Sequence, residues 1–509
     1  MQDLNAKRLS VEAAVDLVKD GQVFVSGGFV GCAHPEALTS QLERKFLATG
    51  SPKNLTLVYA GGQGDGADRG LNHLGHAGLV KRVIGGHWNL APKLGTLAVE
   101  NKIEAYNFPL GVIASWYREA STGKDWIITR VGLGMFCDPR LEGGKLNSVT
   151  KEDLVEHMTI DGKEYLRYRI PRPDVVFLRA TVADPHGNVS MRDEGMSDSN
   201  LAIAIATHNH GGTVIVQVRE ISDQPLPPRE VTIPGVLINY IVQAPPHEHQ
   251  QTFVADFNPA FVGRGGTPAE RAASGVQEKL PNSERRLVGE RAFRELKPGN
   301  VVNLGIGLPE SVAAIAAEKG ALSQFCFTVE SGPIGGIPAA GLNFGMSYYP
   351  DAIIDQPYMF DFYDGGGLDI CFLGAAQIDP LGNVNVSKFG PRVAGIGGFV
   401  NISQAARKVV FCLGFTAGGM RAKLDGGKVV IAPEGKERKF LKAVEQVSFS
   451  AEEARKRKQE VLYVTERCVF KLSAKAPKPG ESGLELIEVA LGIDKEKQIL
   501  SLMDFKPRG

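Results

Sequence analysis

The chain repeats parts of itself, and this internal similarity constrains its fold more than any other feature. The segment KRLSVEAAVDLVKDGQVFVSGG (7–28) resembles RRLVGERAFRELKPGNVVNLGIG (285–307), with Arg8 aligned to Arg286 and Gly21 aligned to Gly299. Each copy predicts a helix, a glycine at which the helix ends, and a short apolar strand that runs into a glycine turn. A proline follows each turn, at the position where a helix start needs no N–H donor.

A second pair of similar segments follows later in the chain. The segment VFLRATVADPHGNVSM (176–191) resembles ICFLGAAQIDPLGNVNVS (370–387), with Asp184 aligned to Asp379. The stretch from Arg8 to Asp184 is longer than the matching stretch from Arg286 to Asp379, so the first copy contains an insertion. We expect this insertion within 100–165.

These repeats predict an α/β protein built from two homologous domains, each with an open and mostly parallel sheet. Apolar runs such as VIVQV (214–218) and KVVFCLGF (408–415) alternate with helical stretches, as parallel sheets covered by helices require. We place the domains at 1–242 and 284–509. The segment 243–283 between them is rich in proline, glycine and polar residues, which is typical of a linker.

Composition excludes several classes of function. Acidic and basic residues balance at 57 each, so no net charge recruits nucleic acid or an anionic membrane. The six cysteines form no CxxC pair, which argues against a zinc site or a disulfide framework and fits a reducing compartment. No apolar run approaches the roughly eighteen residues of a membrane span, and the N-terminus lacks the apolar core of a signal peptide. We therefore expect a cytoplasmic protein without nucleic acid, membrane or metal partners.

Glycine turns offer candidate anion sites. Ser26-Gly27-Gly28 and Gly305-Ile306-Gly307 each stand between a predicted strand and a predicted helix, where backbone N–H groups and the helix dipole favour an anion. The same turns can be purely structural, because glycine also permits positive φ and close backbone approach. Neither completes GxGxxG, and no GxxxxGK[ST] loop is present, so a nicotinamide or nucleoside triphosphate fold is disfavoured.

Three other candidates favour structural roles. His247-Glu248-His249 places two histidines on one face but lies in a proline-rich stretch without a third ligand, so we expect a surface or turn position. Cys326 alternates with apolar residues and is expected in the core. His87, in GGHW, has no GxSxG nucleophile motif beside it and is expected to be packed or hydrogen-bonded.

Glu330 is the least ordinary residue of the sequence. In TVESGPIGGIP (328–338) it directly follows an apolar run and precedes a segment dense in glycine and proline. Glutamate is rarely buried unless paired, so it either caps the following turn or pairs with a cation, or it serves chemistry. A carboxylate among glycine amides can attack an acyl group, since such amides stabilise the resulting oxyanion.

Around this glutamate the sequence resembles a known family. The segments TVESGPIGGIPAAGLNFGMSYYP, FDFYDGGGLDICFLGAAQIDPLGNVNVSKFG, GIGGFVNIS and YVTERCVFKL are similar to those of the class I CoA-transferases, closest to the acetate/propionate branch. VSGGFVGCAHPEAL and GGHWNLAP extend the resemblance into the first half, so it covers about residue 8 to about residue 507. It implies two CoA-transferase α/β domains, the first with an insertion.

The resemblance assigns roles by position. The glutamate that forms a glutamyl-CoA thioester falls on Glu330, and one amide of a later glycine pair, Gly397 or Gly398, donates to the oxyanion. CoA and substrate contacts fall on the GxGxP turn and on the region around GNVN, namely Gly305, Gly307, Pro309, Asn383 and Lys388. A second oxyanion donor is expected from the first half, near Gly61–Gly64.

One departure from the family pattern concerns the substrate. Where the resemblance leads us to expect Pro-Gln-Gly, this chain has Pro109-Leu110-Gly111. Loss of that amide side chain bears on contacts to the acyl carboxylate and hence on substrate preference.

The function that the resemblance implies is reversible CoA transfer from a short-chain acyl-CoA to a short-chain carboxylate such as acetate, propionate or butyrate. The reaction is expected to be ping-pong, with coenzyme A as a substrate and no cofactor, in a homotetramer or another homo-oligomer. A carboxylate with the ordinary pKa of about 4.3 is ionised at neutral pH, so Glu330 is expected to need no general base. An acyl-CoA hydrolase on the same scaffold, and a non-catalytic CoA or metabolite binder, remain as alternatives.

Overall fold

The computed structural model describes residues 4–266 and 279–509, and two large sheets organise them. The first half contains a nine-stranded sheet in the order β1-β12-β11-β9-β2-β3-β4-β5, parallel along that path, with β10 added antiparallel to β9. Its strands are β1 (Arg8–Leu9), β2 (Val23–Ser26), β3 (Leu55–Tyr59), β4 (Val80–Gly85), β5 (Glu104–Asn107), β9 (Val175–Ala183), β10 (Val189–Ser190), β11 (Thr213–Ile221) and β12 (Tyr240–Gln243).

The second half contains the other nine-stranded sheet, in the order β18-β15-β14-β13-β19-β24-β29-β30-β31. Its central strands are parallel and its edges are antiparallel. The strands are β13 (Val301–Leu304), β14 (Cys326–Thr328), β15 (Pro333–Ile334), β18 (Ala352–Ile353), β19 (Ile370–Gly374), β24 (Lys408–Cys412), β29 (Glu460–Val464), β30 (Cys468–Leu472) and β31 (Leu484–Val489).

Smaller sheets and helices complete the fold. The short strands are β6 (Trp126–Thr129), β7 (Val155–Ile160), β8 (Lys163–Arg169), β16 (Ile337–Pro338), β17 (Ser347–Tyr348), β20 (Gln377–Ile378), β21 (Val384–Asn385), β22 (Lys388–Phe389), β23 (Arg392–Val393), β25 (Thr416–Ala417), β26 (Ala422–Asp425), β27 (Lys428–Ile431) and β28 (Glu437–Arg438). The α-helices span Leu4–Lys7, Val11–Val15, Glu36–Thr49, Pro92–Val99, Leu110–Ser121, Asn200–Asn209, Glu284–Phe293, Ser311–Glu318, Gln356–Phe362, Phe399–Ala405, Ala451–Lys456 and Lys495–Gln498.

The two sheets pair aligned residues of the sequence repeat in the same register. Phe24 of β2 pairs with Val175 of β9, and Val302 of β13 pairs with Ile370 of β19. In the two pairs of similar segments, Phe24 aligns with Val302 and Val175 aligns with Ile370, so aligned residues form equivalent strand pairs. The order β12-β11-β9-β2-β3 is likewise matched by β29-β24-β19-β13-β14. The prediction of two homologous, mostly parallel α/β sheets is therefore confirmed.

The extra residues of the first half form two features without a counterpart in the second. Strands β4 and β5 lengthen the sheet in parallel beyond β3, where the second half has the antiparallel β15 and β18. Strands β6, β8 and β7 form a separate antiparallel sheet over Trp126–Arg169. The predicted range 100–165 includes most of this small sheet but misses β4. The sequence of a parallel strand at the sheet edge has the same apolar pattern as the strands before it, so the pattern does not mark β4 as an addition.

The junction between the halves runs from the end of β12 at Gln243 to the helix Glu284–Phe293. The predicted linker 243–283 includes residues 267–278, which lie outside the described residues. Within the described part, His249 is buried beside Glu194, with its Nε2 at 3.6 Å from that carboxylate, so a surface position for this histidine is wrong.

Burial explains why the central strands read as continuous apolar runs. All nine residues of β9 are buried, since helices cover both faces of a parallel sheet. One hydrophobic cluster joins the halves, and within it the rings of Phe29 and Phe344 lie 5.9 Å apart. The carboxyl ends of β13 and β14 therefore lie against loops of the first half.

Candidate active site

Glu330 lies at the carboxyl end of β14, two residues beyond the last residue of the strand. Strand β13 lies between β14 and β19, so the chain continues to one neighbour of β13 first and to its other neighbour later. Ligands of open α/β sheets bind where the strand order reverses in this way. The turn after Glu330 depends on Gly332, whose φ is 132° and whose Cβ, if present, would overlap the carbonyl oxygen of Ile354. This turn fixes the direction of the Glu330 side chain.

Burial changes the chemistry of this carboxylate. Glu330 is 9% exposed, and loss of water around it raises its pKa to about 7 from an ordinary value of 4.5, although the nearby Asn303 amide opposes the rise. The expectation of an unperturbed, fully ionised carboxylate is therefore wrong for the unliganded protein. A desolvated carboxylate near neutrality is a stronger nucleophile than a hydrated one, because nucleophilicity rises with basicity.

A small polar group lies beneath Glu330 inside the sheet. The Tyr363 hydroxyl donates to Thr328 Oγ1 at 2.8 Å, and the Thr328 hydroxyl donates to the carbonyl of Val302 at 3.0 Å. Asn303 Nδ2 donates to the Tyr363 hydroxyl at 3.3 Å, while Asn303 Oδ1 is buried without a hydrogen-bond partner among the described residues. The sequence analysis missed these residues, although an asparagine inside the apolar run VVNLG was the available signal.

The structure distinguishes the two glycines proposed for the oxyanion. The N–H of Gly397 donates to the carbonyl of Gly86 at 2.7 Å and is not free to bind a ligand. The N–H of Gly398 has no acceptor within residues 4–266 and 279–509. A Cβ placed on Gly398 would lie 3.3 Å from Oε1 of Glu330, so this glycine borders the carboxylate directly.

The GxGxP turn is open toward solvent. The N–H of Gly305 extends the sheet by donating to the carbonyl of Phe372 at 2.8 Å. Gly307 follows with φ 91° and free space where a side chain would be, and the intervening Ile306 is 57% exposed. Pro309 is buried at the start of the next helical turn. This geometry leaves a surface against which an extended ligand arm could lie near β13.

Asn383 holds a turn together in the second half. Its Nδ2 donates to Asp379 at 2.9 Å and its Oδ1 accepts from the N–H of Ala451 at 2.9 Å. The first half contains the same turn, in which Asn188 donates to Asp184 at 3.0 Å. Both groups of the amide are thus bonded within the protein, the assignment of Asn383 to CoA or substrate stays a prediction, and GNV marks a turn that the repeat preserved.

Lys388 begins the β22–β23 hairpin, which runs directly into the loop of Gly398. Its side chain is partly exposed and its charge acts on the nearby carboxylates of Glu142 and Glu445, although its Nζ makes no direct hydrogen bond or salt bridge in the part of the chain that the structure describes. The hairpin also touches the first half, where Arg392 Nη2 donates to Asn89 Oδ1 at 2.6 Å. A lysine in this position can meet an anionic part of a ligand.

The first half contributes its own residues to this region. Leu110 is buried, and its N–H donates to the carbonyl of Gly397 at 2.9 Å. In the predicted donor region, Gly64 donates its N–H to the carbonyl of Val30 at 2.8 Å, and Gly62 lies against the ring of His87. His87, expected to be packed or hydrogen-bonded, is packed in the structure and lies beside Gly397. The cleft is thus closed by both halves.

Comparison with known proteins agrees with this geometry. Residues 8–244 and 287–440 match the family described as Coenzyme A transferase. The chain belongs to the coenzyme A transferase family. It is 40% identical over 508 residues to acetate CoA-transferase YdiF of Escherichia coli (strain K12), a match that covers 98% of this chain and 92% of that protein. It is 43% identical over 509 residues to caffeate CoA-transferase of Acetobacterium woodii, covering 99% and 95%.

Solved structures support the same assignment. The crystal structure of the acyl-CoA transferase (YdiF) apoenzyme from Escherichia coli O157:H7 superimposes with a TM-score of 0.92 at 39% identity, covering 100% of this chain and 95% of that one. A thioester complex of the same protein with CoA gives the same TM-score and identity. Membership of this family over nearly the full length makes the chain a CoA-transferase enzyme.

Two further properties follow from the described residues. No group of three or more histidine, cysteine, aspartate or glutamate side chains in 4–266 and 279–509 is arranged to hold a metal ion. Within the same ranges, no helix combines the length and the apolar character that crossing a membrane requires.

Proposed function

We propose that this CoA-transferase moves CoA reversibly from a short-chain acyl-CoA to a short-chain carboxylate through a glutamyl-CoA thioester on Glu330. The observation that carries this proposal is the buried carboxylate of Glu330 beside the unpaired N–H of Gly398, both within the described ranges. The related YdiF protein, which has been solved as a thioester complex with CoA, supports it.

The first half-reaction uses the carboxylate as nucleophile. An oxygen of ionised Glu330 adds to the acyl-CoA carbonyl, and collapse of the tetrahedral intermediate breaks the C–S bond and releases CoA thiolate. The thiolate then adds to the glutamyl carbonyl of the resulting anhydride. Breaking the C–O bond to the acyl group leaves glutamyl-CoA and frees the donor carboxylate. The acceptor carboxylate reverses these steps and leaves as the new acyl-CoA.

Every tetrahedral intermediate on this path carries an oxyanion, which the Gly398 N–H is placed to stabilise. One well-aimed donor contributes about 3 kcal/mol, or roughly a hundredfold in rate. The N–H of Gly398 directly precedes the helix Phe399–Ala405, whose positive end adds to the effect. CoA itself is a substrate in these steps, and neither electrons nor a Lewis acid are needed to balance them.

Water exclusion decides between transferase and hydrolase. Glu330 is buried, and Leu110, whose N–H donates to the carbonyl of Gly397, is 1% exposed. Burial keeps water from the glutamyl thioester, whereas an open site would hydrolyse it. The burial therefore favours transfer over hydrolysis.

The preference for short-chain acyl groups rests on the resemblance, which implies that residue 110 contacts the acyl group. A leucine at that position cannot hydrogen-bond an acyl carboxylate or hydroxyl, which disfavours dicarboxylates and 3-oxo acids relative to acetate, propionate and butyrate. Discrimination among these three is expected to be modest, since one methylene is worth about 1 to 3 kcal/mol. The homo-oligomer and the cytoplasmic location stay predictions.

The test is mass spectrometry of the protein after incubation with acetyl-CoA, followed by peptide mapping. Wild type should gain the mass of one CoA less one water on the peptide that contains Glu330, and Glu330→Gln should gain nothing. Adding propionate should discharge the adduct as propionyl-CoA. Free CoA released at the same rate with and without acceptor would identify a hydrolase. The absence of any adduct despite acyl-CoA binding would reject the proposal in favour of a binding protein.

A further inference from the structure

His87 reaches the active-site loop from the other half of the chain. It stands two residues after the end of β4, at the carboxyl edge of the first sheet. Its backbone forms an antiparallel bridge with Gly395, and the carbonyl of the preceding Gly86 accepts from the N–H groups of Ile396 and Gly397 at 3.1 and 2.7 Å. These bonds fix the position of His87 relative to the glycine loop.

The imidazole and the Glu330 carboxylate flank two consecutive residues. A Cβ placed on Gly397 would lie 3.7 Å from Cδ2 of His87, and a Cβ placed on Gly398 would lie 3.3 Å from Oε1 of Glu330. On the opposite side of the ring, a Cβ on Gly62 would lie 2.5 Å from Nδ1 of His87. Glycine at position 62 thus leaves the space that the ring fills, and position 397 lies within van der Waals distance of the ring.

The two ring nitrogens have different surroundings. Nδ1 is buried and has no hydrogen-bond partner in the described ranges, while the residue as a whole is partly exposed. A buried N–H without an acceptor is rarer than a buried lone pair without a donor, which favours the tautomer with the proton on Nε2. Burial also lowers the pKa of His87 to about 4, so the ring is neutral at pH 7 and carries one N–H.

We infer that His87 is the second hydrogen-bond donor to the oxyanion formed when Glu330 adds to the thioester carbonyl, the Gly398 N–H being the first. This inference rests on the proposed function. A neutral imidazole N–H suits the task because it keeps its proton while the adjacent carboxylate ionises and reacts. An imidazolium would instead form an ion pair with Glu330 and weaken the nucleophile. The role explains why the first half, which lacks a nucleophile, contributes to the catalytic cleft.

The competing explanation is that His87 only fills space between Gly62 and Gly397. The two roles predict different activities for a glutamine variant. The side-chain N–H of glutamine reaches about as far from the backbone as Nε2 of histidine, but glutamine has no ring to fill the space. His87→Leu removes the donor, His87→Phe removes it while keeping a ring, and His87→Gln keeps a donor. His210→Leu, at an exposed position, is the matched control.

The measurement is the single-turnover rate of the glutamyl-CoA adduct, followed by mass spectrometry, together with KM for acetyl-CoA and the melting temperature. We expect His87→Leu and His87→Phe to lose roughly a hundredfold in rate, as loss of one oxyanion donor does. His87→Gln should retain activity within about tenfold, KM should change little, and His210→Leu should match wild type. The Phe variant replaces the Leu variant if the latter does not fold.

Two results would overturn the inference. One is a wild-type rate of adduct formation in folded His87→Leu or His87→Phe. The other is an equal loss in His87→Gln, which would show that the ring and not the N–H is needed. If wild type itself forms no adduct, the proposed function fails and the role of His87 falls with it, so the two failures are distinguished by the wild-type protein alone.

Discussion

The pKa of Glu330 predicts a pH dependence that an ordinary glutamate would not show. Burial raises this pKa from 4.5 to about 7, which corresponds to about 3 kcal/mol of unfavourable desolvation of the charged form. Only the ionised carboxylate can attack a thioester. With a pKa near 7, roughly a tenth of the free enzyme is ionised at pH 6 and roughly nine-tenths at pH 8. The rate of thioester formation should therefore rise about tenfold over this interval.

The assay is kcat/KM for acetyl-CoA between pH 5 and pH 9, because this ratio reports the ionisation of the free enzyme. Asp364, whose pKa burial also raises to about 7, accepts from the Asn401 side chain of the helix that follows Gly398. Asp364→Asn is the control, since its amide oxygen can still accept from Asn401. The midpoint should stay near 7 in this variant.

Protein stability supplies a second readout with the opposite sign. Since folding raises the pKa of Glu330, the protonated form is the one that the folded state prefers. The contribution of this residue to stability is thus complete below pH 4.5 and is lost as the pH rises through about 7. Glu330→Gln should gain up to about 3 kcal/mol over wild type between pH 5 and pH 9. A flat kcat/KM from pH 6 to pH 8, with no such gain, would refute the reasoning.

Further predictions follow from the same contacts and from one buried ion pair. Asn303→Val removes the amide that lowers the pKa of Glu330, so the midpoint of the pH profile should move upward and activity at pH 7 should fall several-fold. Gly398→Ala has compatible backbone angles but places Cβ 3.3 Å from the Glu330 carboxylate, so kcat/KM should drop at least about tenfold with stability within about 1 kcal/mol in urea unfolding. The φ of Gly397 is 54°, which disfavours any residue with a side chain, so Gly397→Ala should instead lose about 1 to 2 kcal/mol of stability. Glu194→Gln, which leaves the charge of its buried arginine partner unpaired, should lose about 3 to 5 kcal/mol by the same unfolding measurement.

The sequence predicted the architecture well because the repeat preserved backbone register. A helix, a glycine and a strand recur in both halves, and aligned residues form equivalent strand pairs, so two similar sheets follow from two similar segments. The parallel order of the central strands was equally accessible, since continuous apolar runs separated by helices have few other solutions. Strands β4 and β5 were not predicted as additions to the sheet, because nothing in the second half aligns with them.

The sequence indicated which residues to consider for the site, but it could not predict the pKa of Glu330 or which glycine N–H groups already have acceptors. Glu330 stood out because a carboxylate ended an apolar run, yet the rise of its pKa depends on how completely the first half covers it. The choice between Gly397 and Gly398 depends on which N–H already has an acceptor, and that acceptor, Gly86, belongs to the other half of the chain. The role of Asn383 stays a prediction, because a family motif cannot distinguish a turn residue from a ligand contact.

The repeat also shows that Glu330 has no acidic counterpart in the first half. In the first sheet Val25 pairs with Val58, and Ala60 follows two residues later. In the second sheet Asn303 pairs with Thr328, and two residues beyond Thr328 the chain reaches Glu330. The first half therefore has a methyl group where the second has the carboxylate of Glu330.

The polar pair beneath Glu330 is best explained by that difference. Polar side chains inside a sheet cost stability unless bonded, and the first half shows that valines satisfy the same backbone positions. The sheet itself therefore does not require Asn303 and Thr328, and the Asn303 amide acts on the carboxylate above it by lowering its pKa. Because Ala60 stands where the second half has Glu330, the first half can contribute only apolar contacts and hydrogen-bond donors to the site. Each chain should accordingly accept one CoA and no more, even at saturating acetyl-CoA.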